Sequence, residues 1–453
     1  MIDYKKLTEP YKEIMLDELK KFVRIDSQYD EKTIDKQNPF GKGVSKALAY
    51  VDELAKKDGF KSTNYDNYVV EILCGTGKKN ITIMAHADVV PEGTGWDQDP
   101  FEVTEKDGVL CARGVADDKG PMLSCYYALK ALRDNNLLGD YTVRFLVGGN
   151  EENGSACMHY YFHTLNKPQP DLGFSPDSNF PLTFAEKGML NYEVKKEVEF
   201  DQLISIRSGV AFNSVIEKAI VVMKNDQAFI NYLKDKKVDF NYDINNEEEM
   251  TLTFIGKAAH GSLPWLGVNA GLNAVRYLGE FYDNADFKQL YRCLAPSKGE
   301  GLNCAYHTDE FGDNSLCVGL LNYNDGLLSA TVNFRHINTC EKPVLLERTI
   351  NALSPFKVEN VEEVPLLYYP LDSVLVSTLL KAYQDETGDL VTPPLASGGG
   401  TYAKEADNVV AFGMEFPGFE SNMHSPGECS KVDDLVISMA IFARAIVELG
   451  KKL

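Results

Sequence analysis

Histidine and carboxylate side chains recur along this sequence directly after apolar runs that have the composition of buried strands. The apolar run ITIMA, residues 81–85, is one of these, and a titratable pair follows it with one alanine between the two members. The full set is His86, Asp88, Asp117, Asp118, Glu151, Glu152, Asp177 and, near the C-terminus, His424. In an open α/β sheet, ligands bind beyond the carboxyl ends of the strands, so we expect these side chains to meet at one site.

The residue types in this set favour a metal site. Histidine together with several carboxylates suits a borderline divalent cation, zinc before manganese or cobalt. So many carboxylates cannot all be ionised close together without cations between them. A pair of divalent ions bridged by one carboxylate would offset most of this charge, and such pairs serve hydrolysis. The sequence therefore predicts two divalent metal ions.

The elements that would position these residues alternate between helix and strand. Helical spacing of apolar residues occurs at 10–24, 43–57 and 121–134, and strand-like runs such as YVVEILCG and YTVRFLVGG lie between them. This alternation predicts an α/β fold, a mostly parallel sheet with helices on both faces.

The pattern changes at about residue 190 and returns at about residue 372. Between them, alternating strand signals such as LLSATVNFRHI are interleaved with helical runs at 268–283 and 342–353, which is typical of an α+β domain. We therefore predict one domain formed by 1–190 and 372–453, into which a second domain, 191–371, is inserted.

Composition limits the partners and the compartment. The 453 residues carry a formal net charge of -21, which argues against nucleic acid and anionic membranes as partners. The 9 cysteines include no C-x-x-C pair and are interpreted as buried, reduced thiols of a cytoplasmic protein. The N-terminus lacks the apolar core of a signal peptide.

Six motifs, in order, resemble those of the di-zinc exopeptidases related to aminoacylase, glutamate carboxypeptidase and carnosinase. They are HADVVPEGTGWDQDPFE, ARGVADDKGP, GGNEENGS, FSPDSNFP, GKAAHGSLP and NMHSPGE. The resemblance runs over nearly the whole chain and is strongest to the bacterial peptidase V-like dipeptidases. It implies a di-zinc catalytic domain and a lid domain that is large enough for two ferredoxin-like subdomains.

The resemblance also implies a role for each residue of the metal site. His86, Asp117 and Asp177 would hold one ion, and Asp117, Glu152 and His424 the other, with Asp117 as the bridge and not Asp118. Asp88 would accept the second ring N–H of His86. Glu151 would be the general base, which takes a proton from the attacking water and returns it to the leaving amine.

Further residues would contact the substrate if the resemblance holds. His260 in GKAAHGSLP resembles the histidine that stabilises the oxyanion, and Asn213 resembles an asparagine near the substrate carbonyl. Arg335 would bind the terminal carboxylate of the substrate. In LASGGGTYA the glycine loop would line the pocket through Ser397, Gly398, Gly399 and Gly400.

These expectations combine into a metal-dependent dipeptidase that hydrolyses short unblocked peptides. The double-size insert resembles relatives whose lid supplies the oxyanion histidine within one chain, so we expect a monomer. Two alternatives stay open at this point: an N-acyl amino acid deacylase similar to succinyl-diaminopimelate desuccinylase, and a non-catalytic binding protein. The second would require a lost ligand or a lost Glu151, and all of these residues are present.

Overall fold

A computed structural model describes residues 2–339 and 341–453 of the chain. It divides the chain into two units, each formed by segments that are discontinuous in sequence. Unit one comprises Met1–Ala185, Leu367–Ala396 and Gly400–Leu453, and unit two comprises Glu186–Leu366 and Ser397–Gly399. Cys340, one of the cysteines interpreted as a buried thiol, lies outside the described residues.

The strands are numbered in chain order. The first twelve are β1 (Lys61–Tyr65), β2 (Val69–Gly75), β3 (Asn80–His86), β4 (Thr104–Lys106), β5 (Val109–Cys111), β6 (Thr142–Gly148), β7 (Leu172–Ser175), β8 (Ser178–Asn179), β9 (Thr183–Glu186), β10 (Gly188–Glu197), β11 (Leu203–Ser208) and β12 (Lys218–Lys224). The others are β13 (Phe240–Ile244), β14 (Glu249–Ile255), β15 (His307–Thr308), β16 (Gly312–Asp313), β17 (Ser315–Asn324), β18 (Leu327–His336), β19 (Lys357–Val364), β20 (Leu367–Tyr368), β21 (Leu395–Ser397), β22 (Val409–Ala411), β23 (Met414–Glu415) and β24 (Cys429–Lys431).

The α-helices are numbered in the same way. They are α1 (Tyr4–Thr8), α2 (Lys12–Val23), α3 (Lys42–Lys57), α4 (Lys119–Asp134), α5 (Ala156–His159), α6 (Gln227–Asp235), α7 (Ala270–Phe281), α8 (Ala285–Leu294), α9 (Lys342–Leu353), α10 (Val374–Thr387) and α11 (Val432–Gly450). Within the described ranges, none of these helices combines the length and the apolar character that crossing a membrane requires.

The main sheet of unit one has the strand order β1-β2-β6-β3-β7-β22-β9-β20. Its centre is parallel, because β3 pairs in parallel with β6 and β7, and β22 pairs in parallel with β7. The central strands are almost fully buried, which explains their near-continuous apolar sequences. Helices α3, α4 and α11 pack against this sheet. The predicted fold class, a mostly parallel α/β sheet with an additional α+β part, is confirmed.

Unit two is built on an antiparallel sheet of order β13-β14-β12-β11-β17-β18-β10-β19. Strands β11 and β17 pair antiparallel at its centre. On one side of this junction β11 pairs with β12, and on the other side β17 pairs with β18. In the chain, helix α6 follows β12 and helix α9 follows β18. A single apolar core runs through the unit and includes Phe254 and Phe334.

Candidate metal centre

His86 ends the central strand β3, beside Gly148 at the end of β6. Its side chain is 0% exposed. Its Nδ1 lies 2.9 Å from the backbone carbonyl oxygen of Asp88. Because that oxygen can only accept a hydrogen bond, Nδ1 carries a ring proton, and Nε2 faces the carboxylate of Asp117.

Asp117 lies between two histidines. Its Oδ1 is 2.9 Å from Nε2 of His86, and its Oδ2 is 2.8 Å from Nε2 of His424. Burial alone would raise the pKa of the Asp117 carboxyl, but hydrogen bonds from His424 and His86 hold this pKa well below its usual range. An ionised carboxylate that faces a nitrogen lone pair at these distances is repelled unless a proton or a cation lies between them. The arrangement therefore fits a cation on each side of Asp117.

Two groups of side chains have the spacing of a metal site, and Asp117 belongs to both. In His86, Asp117 and Asp177, one ligand atom from each residue lies within 4.8 Å of the others, and the same holds for Asp117, Glu152 and His424. The Nε2 atom of His86 is 3.7 Å from Oδ2 of Asp177. The structure thus brings together all five residues that were predicted as ligands.

The electrostatics of the cluster also fit bound cations. Burial, together with the charge of Asp117, raises the pKa of Asp177 to about 7. The nearby carboxylates of Asp117 and Glu152 raise the pKa of His424 to about 11. The buried Oε1 of Glu152 lies 3.3 Å from Nε2 of His424 but has no hydrogen-bond partner within the described residues. A divalent ion would satisfy this oxygen and favour the ionised form of each carboxylate.

Asp88 approaches the ring of His86 more closely through its backbone oxygen than through the predicted carboxylate. Its Oδ1 is 3.5 Å from Nδ1 of His86, beyond the backbone oxygen that takes the ring N–H. Its carboxylate instead accepts the backbone N–H groups of Glu151, at 3.2 Å, and Glu152, at 3.1 Å. The H-x-D spacing lets the backbone of Asp88 fold back onto the ring, while its side chain also holds the next loop.

Glu151 and Glu152 follow β6 in a turn that closes with a backbone bond from Gly154 to Glu151. Burial is the main reason that the pKa of the Glu151 carboxyl is raised well above its usual value, with Asp177 and Glu152 as further causes. Glu151 therefore faces the same carboxylates as the metal ligands but belongs to neither ligand group.

Asp118 and Lys119 have structural contacts. The backbone N–H of His86 donates to Oδ2 of Asp118 at 3.0 Å, which fixes the end of β3 to the start of α4. The peptide bond between Asp117 and Asp118 is cis. The Nζ of Lys119 is buried and donates to the carbonyl oxygen of Ile25 at 2.7 Å, just beyond α2.

Glu428 is a residue that the sequence interpretation missed. Its side chain is 0% exposed, and one of its oxygens accepts the backbone N–H groups of Gly114, Ala116 and Asp117. The other oxygen lies 2.6 Å from Nη1 of Arg113, which is 1% exposed. Glu428 thus fixes the loop that carries Asp117. The only signal in the sequence was its position at the end of NMHSPGE, four residues after His424.

The predicted substrate residues Asn213, His260 and Arg335 belong to unit two and lie in one polar region of it. The backbone N–H of Gly261 donates to the carbonyl oxygen of Asn213, at 2.7 Å. Nδ1 of the exposed His260 is 2.7 Å from Oγ of Ser262. Arg335 is 2% exposed and donates to the side-chain oxygen of Asn333 and to the carbonyl oxygen of Gly398.

The glycine loop is divided between the units, since Ser397, Gly398 and Gly399 belong to unit two and Gly400 to unit one. Oγ of Ser397 accepts the backbone N–H of Gly399 at 2.9 Å. A Cβ atom on Gly398 would lie 2.7 Å from Cβ of Ser262, so a larger residue would not fit there. The part of the loop formed by Ser397–Gly399 therefore lies in the polar region of unit two that contains Arg335 and His260.

The sequence pattern of Peptidase family M20/M25/M40 matches residues 82–448, which include all five ligand candidates. The chain belongs to this family. M20 peptidases are metal-dependent hydrolases of peptide bonds, and the chain is therefore a peptide hydrolase that depends on divalent metal.

Relatives of this M20 peptidase match it over almost their whole length. A protein of Bacillus subtilis (strain 168) named "Putative dipeptidase YtjP" is 32% identical over 97% of this chain and 98% of its own. A protein of Staphylococcus haemolyticus (strain JCSC1435) named "Putative dipeptidase SH1171" is 33% identical over 98% of this chain and 99% of its own. The dipeptidase Dug1p of Saccharomyces cerevisiae has a similar fold, with a TM-score of 0.60 and 15% sequence identity. The match covers 99% of this chain and 98% of the Dug1p chain.

Proposed function

We propose that this M20 peptidase is a dipeptidase that cleaves short unblocked peptides with two divalent ions, zinc before manganese or cobalt. The observation that carries the proposal is the position of Asp117 between His86 and His424, shared by two groups of ligand atoms. The names of the two relatives support the substrate class.

The proposed ligands are His86, Asp117 and Asp177 for one ion, and Asp117, Glu152 and His424 for the other. When bound, such ions make water more acidic and polarise the scissile carbonyl group. The protein contributes ordered donors, because the carbonyl of Asp88 fixes the ring tautomer of His86 and Glu428 fixes the loop of Asp117.

Glu151 is the proposed general base. Its carboxylate takes a proton from the attacking water and transfers it to the leaving amine, which departs in its neutral or protonated form. The backbone N–H of Glu151 donates to the carboxylate of Asp88, and this hydrogen bond holds the turn that carries Glu151. The side chain of Glu151 belongs to neither ligand group and is therefore available for proton transfer.

The polar region of unit two is the proposed substrate-binding part. Arg335 is oriented by two neutral acceptors, so its positive charge is available for the terminal carboxylate of a peptide. His260 and Asn213 are proposed to bind the reacting carbonyl oxygen, and Ser397, Gly398, Gly399 and Gly400 to line the pocket with backbone groups.

The two units are proposed to be a catalytic domain and a lid with two ferredoxin-like halves. The strand order on each side of the β11–β17 junction supports two similar halves. We further propose that the enzyme is a cytoplasmic monomer, because the lid carries its own histidine and the cysteines of the described residues are free thiols.

A substrate panel tests this function. Dipeptides, tripeptides and N-acetyl and N-succinyl amino acids are assayed with Zn²⁺, Mn²⁺ and Co²⁺ in turn. We expect dipeptides to have the highest kcat/KM, with a loss of about tenfold or more when the free amine is acylated or a third residue is added. Faster hydrolysis of the acylated amino acids would overturn the dipeptidase assignment in favour of a deacylase.

A further inference from the structure

Two cysteines face each other across a short antiparallel ladder in unit one. Cys111 ends β5 and Cys429 begins β24, and the two residues are direct partners in the register. Both are partly exposed, unlike the other cysteines of the described residues, which are buried. The expectation that the cysteines are buried thiols is therefore wrong for this pair.

The hydrogen-bond pattern defines the type of pair. Ala112 donates to the carbonyl oxygen of Glu428 at 3.1 Å, and Val432 donates to that of Gly108 at 2.9 Å. Hydrogen-bonded positions alternate along an antiparallel ladder, so the pair of Cys111 and Cys429 is a non-hydrogen-bonded one. At such positions the Cα atoms are about 4.5 Å apart, within the range of roughly 4.4–6.8 Å that a disulfide spans.

The two thiols also interact in the reduced state. The alternation along both strands places Leu110 and Ser430 on the buried face and the two cysteines on the other. Burial raises the pKa of the Cys429 thiol to about 11, and its contact with the Cys111 thiol adds to the rise. The contact between the two thiols places each sulfur within reach of the other.

The ladder joins the two loops that carry proposed metal ligands. Strand β5 leads through Arg113 into the loop of Asp117, and β24 follows directly on the loop of His424 and on Glu428. Glu428, the neighbour of Cys429, accepts the backbone N–H of Asp117 at 3.2 Å. A covalent bond between the two strands would hold these loops together.

We propose that Cys111 and Cys429 form a site of reversible oxidation by low-molecular-weight disulfides, and that their cross-link stabilises the metal centre. The sulfur of one of the two cysteines attacks one sulfur of the small disulfide and releases one thiol. The other cysteine then attacks the protein sulfur of this mixed disulfide and releases the second thiol. The protein loses two protons and two electrons, and the small disulfide is reduced to two thiols.

Peptide mapping tests the site directly. The full-length metal-loaded protein is incubated with oxidised glutathione, alkylated and digested without reductant. We expect a linked pair of peptides that contain Cys111 and Cys429, which a phosphine reductant separates again. Alkylation of both thiols after oxidation, or a link that joins other cysteines, would overturn the proposal.

A second measurement tests the effect on the metal centre, which rests on the proposed ligands. Bound metal is followed during dialysis against a chelator, and oxidation is expected to slow its loss about threefold or more. Cys111→Ser and Cys429→Ser should abolish both the link and the slowing, whereas Cys293→Ser, a change at a buried thiol of unit two, should leave both intact. If the disulfide forms but metal is lost at the same rate, the cross-link does not stabilise the metal centre, and that part of the proposal is wrong. The proposed dipeptidase function would not be affected by this result.

Discussion

Individual residues of the metal centre act through both backbone and side chain. The backbone of Asp88 fixes the ring of His86, and its side chain fixes the backbone of Glu151 and Glu152. One residue thereby links the proposed ligand on β3 to the proposed base after β6. The H-x-D motif predicted that Asp88 accepts a hydrogen bond from the ring of His86. It could not predict that the backbone oxygen lies nearer to the ring nitrogen than the carboxylate does, because this depends on how the chain turns after β3.

The change Asp88→Asn tests this double role. An asparagine side chain keeps one acceptor oxygen and replaces the other with a donor, so it cannot accept from both Glu151 and Glu152. We expect kcat to fall about 10–100-fold while His86 stays oriented and bound metal is retained. Steady-state kinetics with a measurement of bound metal checks this, and wild-type kcat would contradict the assignment.

The change Arg335→Lys tests the proposed carboxylate site. A lysine cannot replace the planar guanidinium, which donates to Asn333 and to the carbonyl of Gly398 at the same time. We expect KM for a dipeptide to rise about 10–100-fold with a smaller change in kcat. Arg292→Lys, at an exposed position of α8, is the control and should leave both constants unchanged. An unchanged KM in Arg335→Lys would exclude this arginine from substrate binding.

At the scale of elements, the parallel centre of the sheet explains why the ligands meet. Strands β3, β6 and β7 run in the same direction, so their carboxyl ends bring His86, Glu152 and Asp177 to one edge. This could be predicted from the sequence because each apolar run ends in a titratable residue. The contacts of Glu428 could not be predicted, since no periodic pattern connects the residue before β24 with a loop more than three hundred residues earlier.

The change Glu428→Gln tests the anchoring of the Asp117 loop. A glutamine leaves the buried charge of Arg113 unpaired, and breaking such a pair costs about 3–5 kcal/mol. We expect a lower Tm and, in the folded fraction, metal affinity that is weaker by about 10–100-fold. Thermal unfolding and metal titration measure these effects, with Glu420→Gln as the exposed control in the preceding loop. Unchanged metal affinity would limit Glu428 to a role in stability.

At the scale of the whole molecule, the two units differ in how well sequence describes them. In unit one the helix and strand patterns are strong, because a buried parallel sheet requires continuous apolar runs. In unit two, strands such as β13 and β19 are largely exposed, and their sequences show only a weak alternation of apolar and polar residues. Their position in the sheet depends on the neighbouring strands with which they pair, and their own sequences do not predict it. The family resemblance, and not the periodicity, indicated a double-size insert.

The central claim is that this chain holds two divalent ions through five side chains and uses Glu151, outside both ligand groups, as the base. The most direct test is the change Glu151→Gln, with bound metal and turnover measured on the same preparation. The account predicts two ions per chain, as in the unchanged protein, and a kcat that is lower by about 10³-fold or more. Near-normal turnover, or a loss of metal along with activity, would contradict it.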